Sequence, residues 1–133
     1  MDNIEQTDIQ LLNLDAYPYI NPDSALVHLN NNKELMIMML QEFFLQEMPV
    51  EKPKFIEAYA AQDWEKIEKM AHKIMGGIMY LGLTKMQYAC QNLERYYHEG
   101  HTQLLPKLYH QFMQVFEETH QAIEQWLEAD IPT

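Results

Sequence analysis

The sequence predicts an all-α fold, an antiparallel up-down four-helix bundle with an additional short N-terminal helix. The 133 residues suffice for one hydrophobic core and are too few for two comfortable domains. Leu, Met, Ala, Glu, Gln and Lys dominate, β-branched runs are absent, and four glycines and six prolines leave room for long helices. Apolar residues recur at helical spacing between short breaks, and short connections favour antiparallel neighbours.

We predict that the chain begins with an arm or short helix that precedes the bundle and packs on it. Residues 1–20 form an arm or short helix, and residues 21–130 form the helical domain. The arm is acidic and carries apolar residues that can pack on the domain: Ile4, Ile9, Leu11, Leu12 and Leu14. Asn21-Pro22 then predicts the start of a short helix to about Leu29, because Asn suits the N-cap and Pro the first helical position.

The next helix is predicted over residues 33–48, with Asn32 as its N-cap. Its residues are apolar on most faces, which is typical of a deeply buried helix. Pro49 and Pro53 are expected to kink or interrupt it. A further helical stretch over residues 54–61 continues in the same direction.

The third helix is predicted from Trp64 to Leu81. Asp63 is its expected N-cap, and Gly82 suits a left-handed C-terminal cap. Thr84 and Gln87 fit a capping box at the start of the following helix.

That fourth helix ends at Gly100. The last helix is predicted to run to about residue 128, with Thr102 as its N-cap. Both segments carry apolar residues at core spacing.

One histidine lies on the wrong side of its helix for a core role. The apolar face of the third helix consists of Ile67, Met70, Ala71, Ile74, Ile78 and Leu81. At about 100° per residue, His72 points roughly 150° away from that face. A nucleophilic imidazole is therefore held on a rigid helix and aimed at solvent. Gly76, one turn later, lacks a side chain and leaves space beside the ring.

Basic residues flank His72 in a chain that is otherwise acidic. Lys69 and Lys73 could neutralise an anionic group, such as a phosphoryl group, at that position. The alternative is ordinary helical pairing of these lysines with Glu65 and Glu68, which is worth only a few tenths of a kcal/mol.

Two methionines are expected beside His72 on the outward face. Exposed Met75 and Met79 would form a docking surface, since methionine makes adaptable contacts. The alternative is that the N-terminal arm covers them. Gly77 lies nearer the core, where it would allow a neighbouring helix to approach.

The charge distribution excludes several classes of partner. The formal net charge is −11, and the segment around His72 is nearly neutral between two acidic ends. This argues against binding to a nucleic-acid backbone and to anionic membranes, because both require a basic face. Cys90 is the only cysteine, and neither a signal-like segment nor a run of 18 apolar residues occurs. We therefore expect a cytoplasmic protein.

A metal-binding bundle is a weaker interpretation. The chain has six histidines, two of them in His98-Glu99-Gly100-His101. This stretch lacks the His-Glu-x-x-His spacing of zinc proteases, and its glycine should end the helix. Since paired Glu-x-x-His motifs are also absent, the sequence predicts no metal site.

The block around His72 resembles the histidine-containing phosphotransfer (HPt) domains of multistep phosphorelays. Their signature is a histidine with an aliphatic residue at +2 and often a lysine at +3. A glycine follows at +4, a small residue at +5 and Leu-Gly at +9 and +10. The matching positions here are His72, Ile74, Met75, Gly76, Gly77, Leu81 and Gly82. The departure is Met75, which stands where the family often has lysine.

The resemblance implies that His72 accepts a phosphoryl group from a receiver-domain phospho-aspartate and passes it to another receiver domain. The expected acceptor is Nε2, and the receiver would supply the Mg²⁺, so no cofactor is expected on this chain. An autonomous ATP-dependent kinase is not implied, and no Gly-rich phosphate loop occurs. Because the helices before and after Leu83 should be antiparallel, Glu94 is expected level with His72, where it can orient the ring.

Two expectations about partners remain. The protein should act as a monomer that binds the receiver domain of a response regulator or hybrid kinase. The alternative function is an HPt-shaped adaptor or inhibitor that binds a receiver or kinase without phosphotransfer.

Overall fold

All regular structure in the described residues, 10–130, is helical in a computed structural model of the chain. The order is α1 (Pro22–His28), α2 (Lys33–Met39), a π-helical segment (Leu40–Glu47), α3 (Met48–Ala60), α4 (Trp64–Tyr80), α5 (Thr84–His98) and α6 (Leu105–Asp130). The predicted all-α bundle with a short preceding helix is confirmed. Within the same residues, no helix is long and apolar enough to cross a membrane.

Helix α2, the π-helical segment and α3 form one continuous rod from residue 33 to 60, without a helical break. The interruption expected at Pro49 and Pro53 is therefore wrong. Instead, the chain widens into π-helix just before Pro49, where the Met48 N–H bonds the carbonyl of Phe43, five residues back. Proline has no N–H to donate, and a local change of helical register accommodates that loss.

Burial of this rod is confined to part of its surface. Over its first half the fully buried side chains recur every four residues, at Met36, Leu40, Phe44 and Met48, and Phe55 follows seven residues later. Met38, in contrast, is 45% exposed. The expected deep burial on most faces is therefore wrong for the outward side.

Helix N-termini follow the sequence signals in three of the predicted cases. The side chains of Asn21, Asn32 and Asp63 each accept a hydrogen bond from a backbone N–H three residues later. The capping box at Thr84 is wrong, because Leu83 is the residue before α5 and Thr84 already lies in its first turn.

The last helix starts later than the sequence predicts. Helix α6 begins at Leu105, two residues beyond the start that a cap at Thr102 requires. Leu104 and Leu105 are both buried, so the core holds the residues that open this helix.

The α4–α5 turn fixes the relative height of the two helices that carry the site. Gly82 adopts φ +67°, a left-handed conformation that favours glycine. A Cβ there would lie 2.4 Å from the Asn21 carbonyl oxygen, so the close approach of the chain before α1 also requires glycine. Leu83 is fully buried at the turn.

The described part of the predicted arm, residues 10–20, packs on the bundle. Leu14 is 6% exposed. The carbonyl of Leu11 accepts hydrogen bonds from the side-chain amides of Asn92 and Gln111, each at 3.0 Å. These bonds tie the arm to both α5 and α6. Two apolar residues predicted to help, Ile4 and Ile9, lie outside the described residues.

Candidate functional site

His72 stands in the middle of α4 with its side chain 78% exposed. The opposite face of the helix is fully buried at Ile67, Ala71 and Ile78. The outward direction follows from the apolar spacing, because burying that stripe against the bundle leaves the other face to solvent. A long amphipathic helix therefore presents the imidazole on a rigid support.

Glu94 on α5 meets the ring from the neighbouring helix. Its Oε1 lies 2.9 Å from Nδ1 of His72, and the residue is only 9% exposed. An ionised carboxylate only accepts hydrogen bonds, so Nδ1 carries the proton and donates it. The other nitrogen, Nε2, is then left with a lone pair on the exposed side of the ring.

The hairpin geometry explains this pairing. His72 and Glu94 lie 11 residues before and after Leu83, which makes them level in an antiparallel pair. A buried contact lies beneath them, where the Cys90 thiol donates to the Ala71 carbonyl at 3.2 Å. Burial raises the pKa of the Cys90 thiol, so this group is a structural donor rather than a nucleophile.

The adjacent glycines differ in their surroundings. A Cβ added at Gly76 would meet nothing within 4 Å, so the space beside His72 is open. A Cβ at Gly77 would lie 2.6 Å from the ring of Phe43. The absence of a side chain therefore leaves an open surface at Gly76 and permits close packing at Gly77.

A second histidine–carboxylate pair lies one turn away. His98 Nε2 is 2.6 Å from Glu68 Oε1, and ligand atoms of Glu68, Glu94 and His98 all lie within 4.8 Å of one another. Sequence reasoning missed this pair. The signal was available, since Glu68 and His98 lie 15 residues before and after Leu83 and are therefore also level.

The two lysines predicted to neutralise charge flank His72 along α4. Lys69 pairs with Glu65 at 3.1 Å, and this hydrogen bond raises the pKa of the Lys69 ammonium. Lys73 is exposed. Neither lines the shallow depression around His72, whose walls are His72, Gln91, Glu94, Arg95, His98 and Glu99. The structure therefore shows a contact between Glu94 and the histidine, and neutralisation of a phosphoryl group by these lysines stays a prediction.

Comparison with protein families identifies the chain. The Hpt domain family model matches residues 39–129, which include most of the rod and of α6 and all of α4 and α5. The chain belongs to the Hpt domain family. Hpt domains carry out histidine phosphotransfer in phosphorelays and interact with receiver domains of response regulators or kinases. No curated protein and no solved structure matched the chain.

This Hpt domain departs from expectation at Met75. The side chain is only 9% exposed, so the predicted exposure of Met75 is wrong. Helix α4 packs against both α3 and α5, which widens its buried arc beyond the apolar stripe. Met79, which is 43% exposed, remains on the surface as expected. The place where the family often has lysine thus holds a buried thioether, and the arginine that lines the depression, Arg95, comes from α5.

Proposed function

We propose that this Hpt domain is a phosphorelay intermediate that accepts a phosphoryl group on His72 from a receiver-domain phospho-aspartate. It then passes the group to an aspartate of another receiver domain. The observation that carries this proposal is the hydrogen bond between Nδ1 of His72 and Glu94. That bond fixes one tautomer and turns the unprotonated Nε2 toward solvent.

The transfer is a displacement at phosphorus. The Nε2 lone pair of His72 forms a bond to phosphorus as the bond to the aspartyl oxygen of the receiver breaks, and the aspartate leaves as a carboxylate. The ring gains positive charge in this step and keeps its proton on Nδ1. Glu94 stabilises that charge because its carboxylate accepts the Nδ1 proton's hydrogen bond. The reverse displacement delivers the group to the second receiver.

The surroundings of His72 suit a partner that brings its own electrostatic machinery. The imidazole is exposed, Gly76 leaves open space beside it, and Met79 offers an apolar contact on the same face. A receiver domain with its Mg²⁺ would neutralise the transferring phosphoryl group. What this domain contributes is an oriented nucleophile on a rigid helix.

The alternative function is an adaptor that binds a receiver or kinase without phosphotransfer. One observation favours it: the buried side chain of Met75 supplies no cation at the position where the family often has lysine. The oriented, exposed imidazole favours phosphotransfer, since an adaptor would need neither the Glu94 contact nor a free Nε2.

The test is incubation of the purified domain with a radiolabelled phospho-receiver. We expect label on the domain that is stable in base and labile in acid, which distinguishes a phosphoramidate from an acyl phosphate. His72→Gln should abolish the label. His101→Gln is the matched control, because it removes an exposed imidazole outside the depression.

Label that persists in His72→Gln would contradict the assignment of this histidine. Binding of phospho-receivers without any labelling would instead favour the adaptor. Receiver binding can be measured separately by calorimetry, so the two functions are distinguishable.

A further inference from the structure

We propose that Glu68, Glu94 and His98 form a binding site for one divalent transition-metal ion of the zinc class. The site lies at the α4–α5 interface, one turn from His72. Its ligand atoms are one carboxylate oxygen from each glutamate and a ring nitrogen of His98.

The geometry of the three donors is close to what such an ion requires. Zinc binds imidazole nitrogen and carboxylate oxygen at about 2.0–2.2 Å, which places tetrahedral ligand atoms about 3.4 Å apart. Here the three ligand atoms lie within 4.8 Å of one another, and the Glu68–His98 pair is at 2.6 Å. Small side-chain rotations therefore suffice to gather them around one ion, with open positions left for water.

The backbone holds these donors before any ion arrives. Glu94 and His98 are one turn apart on α5, and Glu68 faces them from α4 at the level of His98. Two helices locked by a buried turn thus supply all three ligands. This arrangement avoids most of the ordering entropy that a site built on loops requires.

Charge and burial also favour a cation. The Glu94 and Glu68 side chains are each only 12% exposed, so two carboxylates share a restricted volume. Their mutual repulsion is offset in part by hydrogen bonds with the rings of His72 and His98 and by the guanidinium of Arg95, which lines the same depression. A divalent ion would neutralise both carboxylates at once. The imidazole selects zinc-class ions over Mg²⁺ and Ca²⁺, which prefer oxygen ligands.

Occupation of the site has a consequence for His72, and this consequence rests on the proposed function. Glu94 would be shared between the metal and Nδ1 of His72, or withdrawn from the ring altogether. Either change weakens the hydrogen bond that orients Nε2. Zinc should therefore lower the rate at which a phospho-receiver phosphorylates this domain.

Metal binding can be tested without any receiver. Isothermal titration of the unphosphorylated domain with Zn²⁺ should give one ion per chain, and the same titration with Mg²⁺ at equal concentration should give no heat of specific binding. His98→Gln and Glu68→Gln should each weaken the Zn²⁺ affinity at least tenfold. His101→Gln, which removes an exposed imidazole outside the site, should leave the affinity within twofold of the unmodified domain. Circular dichroism checks that each variant stays helical.

Equal Zn²⁺ affinity of the unmodified domain, His98→Gln and Glu68→Gln would overturn the site, as would loss of affinity in His101→Gln alone. If the variants locate Zn²⁺ at this site but the domain is never phosphorylated, the proposed function is contradicted and the metal site stands. Zinc binding without any change in transfer rate would overturn only the proposed effect on His72.

Discussion

Replacing Glu94 by Gln tests whether the charge beside His72 takes part in phosphotransfer. The substitution keeps the shape of the side chain and an oxygen that can accept from Nδ1. It removes the negative charge that lies 2.9 Å from that nitrogen. If the ring becomes cationic as the nitrogen–phosphorus bond forms, the phosphorylated state should lose more stability than the free state.

The size of the expected change in transfer follows from the distance between Nδ1 of His72 and Oε1 of Glu94 and from the exposure of the His72 side chain to water. The His72 side chain is 78% exposed, so water screens the pair strongly. At 2.9 Å, opposite unit charges in a water-like dielectric attract with about 1.4 kcal/mol, or about tenfold in an equilibrium constant. With about half the charge developed at the transition state, the rate of transfer should fall about threefold.

The assay follows transfer from a phospho-receiver to the domain, both as an initial rate and as the final distribution of phosphate. Glu94→Gln should shift that distribution about tenfold toward the receiver. Glu99→Gln is the matched control, since it removes the same charge from the rim of the depression without touching His72. A Glu94→Gln domain with the rate and equilibrium of the unmodified protein would refute a role for this carboxylate.

Further substitutions test the surroundings of the histidine. Gly76→Leu should reduce transfer from a receiver at least tenfold while the circular dichroism stays unchanged; normal transfer would contradict the need for clearance. In urea unfolding, Gly76→Ala should raise the free energy of unfolding by about 1 kcal/mol. Gly77→Ala should be less stable than Gly76→Ala by about 1 kcal/mol or more, because its Cβ would lie 2.6 Å from the ring of Phe43, which must shift. Lys73→Gln should slow transfer more than Lys69→Gln, because the Lys69 ammonium is already paired; equal effects would count against that distinction. The thiol of Cys90 should react slowly with a disulfide reagent at neutral pH, since burial raises its pKa, and rapid reaction of the folded domain would show that the contact with α4 opens easily.

Much of the fold could be predicted because local signals and burial agree. The apolar stripe of α4 set the direction of His72, and Asp63 and Gly82 marked the two ends of that helix. Antiparallel pairing about Leu83 placed Glu94 beside the imidazole. These features depend on helical periodicity and turn chemistry, which a single sequence carries.

Other features depend on which helices pack together. Met75 is buried on a helix that packs against α1, α3 and α5, and a helical wheel drawn from one segment cannot show the width of that contact. The π-helical segment before Pro49 has no sequence signal that separates it from an ordinary kink.

The pairing of Glu68 with His98 was missed for a different reason. Its two members belong to no linear motif, and only the hairpin alignment that located Glu94 could have found them. The cluster that they form with Glu94 is shared between two helices, so no local metal motif contains it.

The role of His72 is tested most directly by locating the phosphoryl group on the domain after transfer from a receiver. Heteronuclear NMR of the phosphorylated domain, combined with peptide mass spectrometry at high pH, identifies both the residue and the ring nitrogen. We expect one phosphoryl group, on Nε2 of His72. Phosphate on Nδ1, or on any other residue of the chain, would contradict it.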